Sequence, residues 1–326
     1  MNNQQSSIAN SRLWNHVPEL PVQYSPLFDW PPNLSSTLRW LARVWKPVGL
    51  YFITLAIVVI IYLFFHPPEE MMREFAFGWV AQIWLRNLIL MCLVAGTLHC
   101  YFYMLKKQKD NLKFEKKGQD ANSKVHNFGN QVLDNMFWTL TSGLAIWTAY
   151  EAVYYWAHAN GFVPALTWAG NPVWFVLVFL LIPLWSSMHF YFIHRLLHWP
   201  PLFRVAHAVH HRNVNIGPWS GISMHPIEHV LFFSSVAIHF VIASHPVHMI
   251  FHAYFQGLAP AVSHSGYEAL SVGGEKRMKL GDYFHQLHHK HYKCNYGTVE
   301  MPWDRWFGSF HDGTEDATRR IRKRKW

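Results

Sequence analysis

Histidines are the residues of this chain whose number and spacing could do chemistry. The sequence has 23 His in 326 residues, and 17 of them lie between His189 and His291. Neutral imidazole is the commonest metal ligand in proteins. Because many of these histidines recur at regular short spacings, they predict a metal site rather than scattered packed side chains.

Three clusters carry most of this signal. They are His194-x3-His198, His207-x2-His210-His211 and His285-x2-His288-His289. Residues three or four apart share a helix face, so each cluster can present several ring nitrogens together. An HxxHH segment can direct some nitrogens to one metal and the remainder to a second. The clusters therefore predict a dinuclear site made almost wholly of His, and imidazole suits Fe, Zn, Cu and Ni alike.

The remaining histidines divide into two further candidate ligands and side chains expected to be packed or at the surface. His225 and His264 lie in short segments of their own and stay candidates for ligands. The histidines at 16, 66, 99, 126 and 158 are expected to be packed or snorkelling side chains, and those at 239, 245, 248 and 252 are more often packed than functional. His291 and His311 are expected at the surface.

Apolar runs must position these clusters. Four runs, 48–65, 83–105, 136–157 and 173–193, have roughly the length of a membrane-spanning helix. A fifth region, 230–262, is broken by Ser244-His245-Pro246 and predicts a hairpin that dips into one leaflet, or a short pair of spans. The His194 cluster follows the fourth run directly, which predicts a metal site at the membrane surface.

The charge pattern predicts the orientation. Segment 106–124 carries seven Lys and three acids, and six of the seven residues 319–325 are Lys or Arg. Positive loops favour the cytoplasmic side. The N-terminus, the histidine clusters and the C-terminus are therefore expected in the cytoplasm. The net charge of +9 fits a membrane surface better than nucleic acid, because no nucleic-acid-binding fold accompanies it.

These observations predict an all-α, multi-pass integral membrane protein. We expect about four transmembrane helices plus a hairpin. The expected organisation is a cytoplasmic segment 1–47, a transmembrane pair with a Lys-rich loop at 48–135, a region 136–312 that contains the histidine clusters, and a basic tail at 313–326. A composition of 51% hydrophobic and 14% charged residues excludes a disordered chain.

The three clusters resemble the histidine boxes of the fatty acid hydroxylase/sterol desaturase superfamily of membrane di-iron oxygenases. The flanking residues agree: Tyr191-Phe-Ile-His194, Met224-His225-Pro-Ile-Glu228, His264-Ser-Gly-Tyr267, Asn295-Tyr-Gly297 and Trp303-Asp-Arg-Trp-Phe-Gly308. The resemblance covers roughly 136–312 and implies that this region is the catalytic domain, with a cytoplasmic helical cap that holds the dimetal site above the transmembrane helices. The N-terminal third carries no motif of the family.

The resemblance implies two Fe ions, with Zn as a possible substitute, and O2 as co-substrate. It implies hydroxylation or desaturation of a C–H bond of a membrane lipid, a sterol or a fatty acyl chain. The ligands carried over are His194, His198, His207, His210, His211, His264, His285, His288 and His289. His225 is expected as the tenth ligand, with His229 second; the other reading of His225 is a residue that hydrogen-bonds a ligand. Beyond these ligands no catalytic residue is expected.

Electrons must come from outside the chain. No dinucleotide-binding fingerprint occurs, since Gly273-Gly274 lacks the G-x-G-x-x-G pattern. A cytochrome b5-like protein, or a ferredoxin with its reductase, is the expected donor, and no nucleic acid is expected as a partner. The oligomeric state is left open.

The sequence leaves other functions open beside that of an oxygenase in lipid biosynthesis. One alternative is a hydroxylase of the acyl chain of a bacterial polar lipid. A remote one is a His-rich membrane metal transporter, which should carry ionisable ligands at mid-membrane; Glu151 is the one acid within the runs. A third is a haem cytochrome with His239 and His252 as axial ligands.

Overall fold

The computed structural model of the chain describes residues 14–47 and 49–323. The start of the predicted N-terminal segment, Val48 at the edge of the first apolar run, and the end of the basic tail lie outside the described residues. The described part is mostly helical, as predicted.

Five helices form the first two thirds of the chain. They are α1 (Leu34–Val44), α2 (Leu50–Phe65), α3 (Phe77–Met104), α4 (131–159) and α5 (Pro172–Leu197). Short 3-10 turns lie at Pro26–Phe28 and Glu69–Met72. Asn side chains accept hydrogen bonds from first-turn amides of α4 and α5, which fixes where these two helices begin.

The remaining elements form a helical hairpin, 226–263, and a group of shorter elements, 200–211 and 269–322, that we call the cap. They are α6 (200–211), α7 (Pro226–Phe233), α8 (Pro246–Ser263), β1 (Ala269–Val272), β2 (Glu275–Lys279), α9 (Tyr283–His291), α10 (Trp303–Trp306) and α11 (Glu315–Arg322). A 3-10 turn lies at Pro218–Ser220, and another, Ser234–Phe240, continues α7. Strands β1 and β2 pair antiparallel across Gly273-Gly274, whose positive φ angles suit a tight hairpin turn.

Two of the described helices, α3 and α5, are long and apolar enough to cross a membrane, with 28 and 26 residues. Helix α2 and segment 226–240 are shorter apolar helices. Large apolar side chains such as Phe64, Leu93 and Leu180 are exposed on the outer faces of α2, α3 and α5. Apolar surface of this extent is typical of a membrane-facing protein.

The predicted hairpin at 230–262 is present, and its second half is central to the fold. Helix α8 packs against α2, α4 and α5, and nearly all of its residues are buried. It turns back at Ser244-His245-Pro246, where the His245 side chain accepts a hydrogen bond from the Val247 amide. Helix α8 therefore forms the core on which the outer helices pack.

Glu151, the one acid within the apolar runs, is fully buried and paired. It forms an ion pair with Arg86 of α3, and Asn87 and Tyr155 donate hydrogen bonds to it at 2.9 and 2.6 Å. A charge buried with its counterion and hydrogen-bond donors acts as a helix–helix contact. The charge of Glu151 is therefore neutralised by Arg86 inside the helix bundle, whereas a transport site needs a carboxylate that is free to bind the transported ion.

Candidate metal centre

Nine histidines converge in the cap as two adjacent groups. The first group is His194, His198, His207, His211 and His288, and the second is His210, His264, His285 and His289. Within each group the ligand nitrogens lie within 4.8 Å of one another, and all nine residues are buried. Both HxxHH segments contribute to both groups, as the spacing suggested.

Two helix ends and two further helices bring these side chains together. His194 lies in the last turn of α5, and His198 caps that helix. The second cluster lies along α6, the third along α9, and His264 caps α8. Asp282 accepts a hydrogen bond from the Phe284 amide and so begins α9 three residues before its first ligand.

Carbonyl oxygens orient the rings of the first group. His194 donates from Nδ1 to the Tyr296 carbonyl at 2.6 Å, and His288 donates from Nδ1 to the Cys294 carbonyl at 2.6 Å. A carbonyl oxygen can only accept, so the proton of each ring lies on Nδ1. The unprotonated Nε2 of each ring then points inward with its lone pair.

The same arrangement recurs in the second group. His210 donates from Nδ1 to the Ser223 carbonyl at 3.3 Å, and His264 donates to the Pro260 carbonyl at 2.9 Å. Outer partners of this kind fix the tautomer and ring orientation of metal-bound histidines.

A carboxylate orients His207. Its Nδ1 lies 2.7 Å from Oε1 of Glu228, and both side chains are buried. Glu228 comes from the first turn of α7, in the same short segment as His225. A carboxylate in this position holds the ring and raises its basicity as a ligand.

The spacing of the inward nitrogens fits a metal ion. His198 Nε2 lies 3.1 Å from Nε2 of His207, 3.1 Å from that of His211 and 3.2 Å from that of His288. In the second group, Nε2 of His289 lies 3.1 Å from that of His285. Imidazole nitrogens bound at about 2.1 Å to one metal lie about 3.0–3.4 Å apart at adjacent positions. Lone pairs this close repel one another unless a cation lies between them.

Burial keeps these imidazoles neutral. The pKa of His288 is held well below its usual range by burial and then by the neighbouring His198. Burial, followed by repulsion from His210 and His285, lowers the pKa of His289 in the same way. Burial also lowers the pKa of His210 to about 4. Neutral imidazole is the form that binds metals, so the groups are ready for ions near neutral pH.

A buried aspartate supports the carbonyl that orients His194. Asp304 accepts hydrogen bonds from the amides of Tyr296 and Gly297 at 2.9 and 2.7 Å, and from the Ser309 hydroxyl at 2.6 Å. This network fixes the loop at 294–297 against the metal-binding groups.

Two cavities adjoin the centre. A polar cavity of about 340 Å³ reaches His211 and Tyr292 from the outer face of the cap, and Lys117 and Arg212 are among its lining residues. The second is a narrow cleft between α5 and α7, lined mostly by apolar side chains and by ligands of both groups. The centre thus has one polar approach and one apolar approach.

The tenth expected ligand lies elsewhere. His225 caps α7, where its Nδ1 accepts a hydrogen bond from the Ile227 amide at 3.3 Å, and it belongs to neither group. His229 is buried but lies 2.9 Å from the Ile222 carbonyl and 3.2 Å from the Ser142 hydroxyl, also outside both groups. Glu228, between them, is the residue of this segment that contacts a ligand.

The structure bears on two other expectations about histidines. His239 Nε2 and His252 Nδ1 lie 3.0 Å apart, directly hydrogen-bonded, which leaves no space for a haem between them. His311 is fully buried rather than at the surface, and its ring stacks on that of His291. Long-range packing of α11 and the 294–311 loop buries it, which local sequence does not reveal.

Several contributors to the centre were not identified as such from sequence. Glu228 stands out in the sequence only as part of the segment Met224–Glu228, and Tyr296 and Cys294 contribute through their backbone carbonyls. The position of Glu228 beside the histidine clusters could have indicated its role, because metal-bound histidines usually donate their second ring N–H to a carboxylate or a carbonyl. Backbone carbonyls carry no such signal.

Residues 175–309 match the fatty acid hydroxylase family model. The Delta(7)-sterol 5(6)-desaturase of Candida albicans is 28% identical over 130 residues, which are 39% of this chain and 32% of that protein. The Saccharomyces cerevisiae enzyme of the same name is 30% identical over 142 residues, 42% of this chain and 37% of that protein.

A plant relative matches over a longer range. The Delta(7)-sterol-C5(6)-desaturase of Nicotiana tabacum is 25% identical over 257 residues, 74% of this chain and 87% of that protein. The chain matches about a third of the length of the fungal relatives. No solved structure is significantly similar to it. The matched region contains all nine clustered histidines, and the relatives named here are sterol desaturases, so the segment that carries the metal-binding groups is similar to the fatty acid hydroxylase/sterol desaturase superfamily.

Proposed function

We propose that this protein is a membrane di-iron oxidoreductase that uses O2 to hydroxylate or desaturate a C–H bond of a membrane lipid, with a sterol as the first candidate. The observation that carries the proposal is the convergence of inward Nε2 lone pairs at 3.0–3.3 Å in two adjacent groups. The sterol desaturase relatives support the lipid class.

The chain's own residues would position the metals and exclude water. Groups one and two would each hold one iron, and two irons with O2 would supply the oxidising power that an unactivated C–H bond requires. Tyr296, Cys294 and Glu228 hold the ligand rings in place through their outer nitrogens. Because all nine ligands are buried, side reactions with bulk water are limited.

The lipid would reach the centre from the side. The cleft between α5 and α7 is lined by Phe190, Ile193, Leu197, Met224 and Phe232. Phe190, Ile193 and Leu197 belong to α5, which is long and apolar enough to cross a membrane. A lipid could therefore slide from the bilayer towards the metals without crossing water.

The membrane arrangement is part of the proposal. Helices α2 to α5 would form four spans, with α7 and α8 as the hairpin, the histidine centre and C-terminus in the cytoplasm. The Lys-rich segment 106–124 lies on the polar side of the centre, where Lys117 lines the cavity next to His211. An external cytochrome b5-like protein or ferredoxin would supply electrons from this side. A cysteine introduced at Lys117 should react with an impermeant reagent only from the cytoplasmic face.

Metal analysis tests the assignment first. Protein purified in detergent should contain about two iron atoms per chain, antiferromagnetically coupled in a Mössbauer spectrum. Zinc alone would call for iron reconstitution, since imidazole sites accept either metal. A folded protein that binds neither metal would refute the proposal.

Substrate assays follow on the iron-loaded protein with a reductant and O2. Delta(7)-sterols are tested beside acyl lipids, because the family model is that of a fatty acid hydroxylase. Oxidation of the acyl chain alone would favour the polar-lipid hydroxylase over the sterol enzyme.

A further inference from the structure

The apolar cleft between α5 and α7 contains one polar group that is not a metal-ligand candidate. Its lining combines apolar side chains with His194, His207 and His210, and with Glu228. The open space is about 10 Å³, close to the room that one water molecule or one hydroxyl group occupies. The cleft therefore offers a single small polar position beside the metal ligands.

The two oxygens of Glu228 have different surroundings. Oε1 accepts the hydrogen bond from His207 at 2.7 Å. Oε2 is buried and has no hydrogen-bond donor among the residues that the structure describes. The side chain is only 2% exposed. A buried carboxylate oxygen without a donor is costly, so this position favours a ligand that brings an O–H group.

We infer that Oε2 of Glu228 recognises a hydroxyl group of the lipid substrate, and that the substrate class is a lipid whose hydroxyl lies a few bonds from the oxidised carbon. This inference rests on the proposed function. The carboxylate and the inward nitrogen of His207 are separated by the width of one imidazole ring. A hydroxyl held by Oε2 thus fixes carbons close to it beside the metal-binding groups.

A 3-hydroxysterol has the required chemistry. Its ring carbons C5 and C6 are three and four bonds from the hydroxyl oxygen, and its remaining surface is apolar, like the walls of the cleft. A simple acyl chain has no donor for Oε2. Because Phe190 and Phe232 lie with ring centroids 6.2 Å apart across the cleft, they must separate to admit the ring system.

The hydrogen bond predicts a strong preference for the hydroxyl. One net hydrogen bond changes a rate or binding constant by about two- to tenfold. A site built for an O–H group discriminates further against analogues that leave its acceptor unpaired. The 3-keto and 3-deoxy forms of the same sterol should therefore bind and react at least about tenfold more weakly.

The test compares a Delta(7)-3-hydroxysterol with its 3-keto and 3-deoxy counterparts on iron-loaded protein. Equilibrium binding of the labelled sterols and kcat/KM are both measured. Glu228→Gln is the informative variant, because its amide oxygen can still accept from His207 while its NH2 donates towards the cleft. Glu275→Gln, at an exposed position of β2, is the matched control.

The expected result is a wild-type preference for the 3-hydroxysterol that falls to parity, or reverses towards the 3-ketone, in Glu228→Gln. Iron content of the variant is measured alongside, so that loss of metal is not mistaken for loss of recognition. If Glu228→Gln fails to bind iron, the comparison of the three sterols on the wild-type protein still tests the inference.

Equal binding and turnover of the three sterols by the wild type would overturn the inference while leaving the oxygenase in place. Oxidation of unhydroxylated acyl lipids with no sterol binding would do the same. Failure of iron-loaded protein to oxidise any lipid would instead count against the proposed function.

Discussion

Asp304 is the residue whose replacement best tests how the centre is supported. Its carboxylate is fully buried and accepts three hydrogen bonds, from the Tyr296 amide, the Gly297 amide and the Ser309 hydroxyl. The Tyr296 carbonyl in turn accepts from His194. A change at Asp304 should therefore reach the first metal-binding group without touching any ligand.

In Asp304→Asn, the amide oxygen can replace Oδ1 and keep its bonds to Tyr296 and Ser309. The amide NH2 then takes the place of Oδ2 and faces the Gly297 amide, donor against donor. One hydrogen bond to a charged group is lost, at about 1.5–3 kcal/mol, and a buried amide is left unpaired. We expect the free energy of unfolding to fall by about 3 kcal/mol.

The metal should respond as well. Loss of an outer partner of a metal-binding histidine typically weakens metal affinity by about 10- to 100-fold. Because Asp304 acts on His194 through one intervening peptide, the lower end of about tenfold is expected for the first group. Asp316→Asn is the control, since that carboxylate is 90% exposed and pairs only with Arg319 at the surface.

The assays are denaturant unfolding in detergent and titration of iron from a buffered chelator. Unfolding and iron affinity of Asp304→Asn indistinguishable from those of Asp316→Asn would refute the reasoning. A loss of stability with unchanged iron affinity would show that the 294–297 loop does not orient His194.

Further predictions concern the ligands, the helix bundle and pH. His198→Ala and His289→Ala each remove a proposed ligand, from different groups, so each should abolish oxidation and lower the iron content; full activity in either would exclude that residue as a ligand. Glu151→Ala leaves Arg86 buried without its counterion and should lower the free energy of unfolding by about 3–5 kcal/mol in detergent, an outcome that a change below 1 kcal/mol would contradict. Burial and the nearby His291 lower the pKa of His311 to about 4, so the unfolded chain binds more protons below pH 6.5 and stability falls from pH 6.5 towards pH 4. At pH 5 the loss in the free energy of unfolding amounts to about 2 kcal/mol for this one group, and His311→Gln should lose that part of the pH dependence in denaturant titrations at pH 7 and pH 5.

The nine clustered histidines could be predicted because their chemistry is local. Spacings of three and four residues determine which rings share a helix face, whatever the rest of the fold does. The helices formed by the apolar runs could be predicted equally well, because each run corresponds to a helix in the structure. The tertiary burial of α8 was not, because an apolar helix reads alike whether lipid or protein surrounds it.

The support of the centre depends on contacts that residue types do not encode. His225 and Glu228 stand three positions apart, and the sequence favoured His225 as the ligand. Pro226 opens α7, so His225 becomes the cap and bonds its own backbone, while Glu228 in the first turn faces His207. The carbonyls of Cys294 and Tyr296 could be found only from the path of the loop.

The carbonyls of Cys294 and Tyr296, which orient two of the histidines, are synthesised after both of those histidines. His194 is made about a hundred residues before the oxygen that fixes its ring, since its partner lies 102 positions later. The ring of His288 likewise depends on the carbonyl of Cys294, which is synthesised six residues later. Until the ribosome has passed this loop, the early histidines have no fixed tautomer and no defined geometry. We therefore expect metal to enter the proposed centre late in biogenesis, after the helices have formed, since a chain stalled before residue 294 would carry most of the proposed ligands without the carbonyls that orient them.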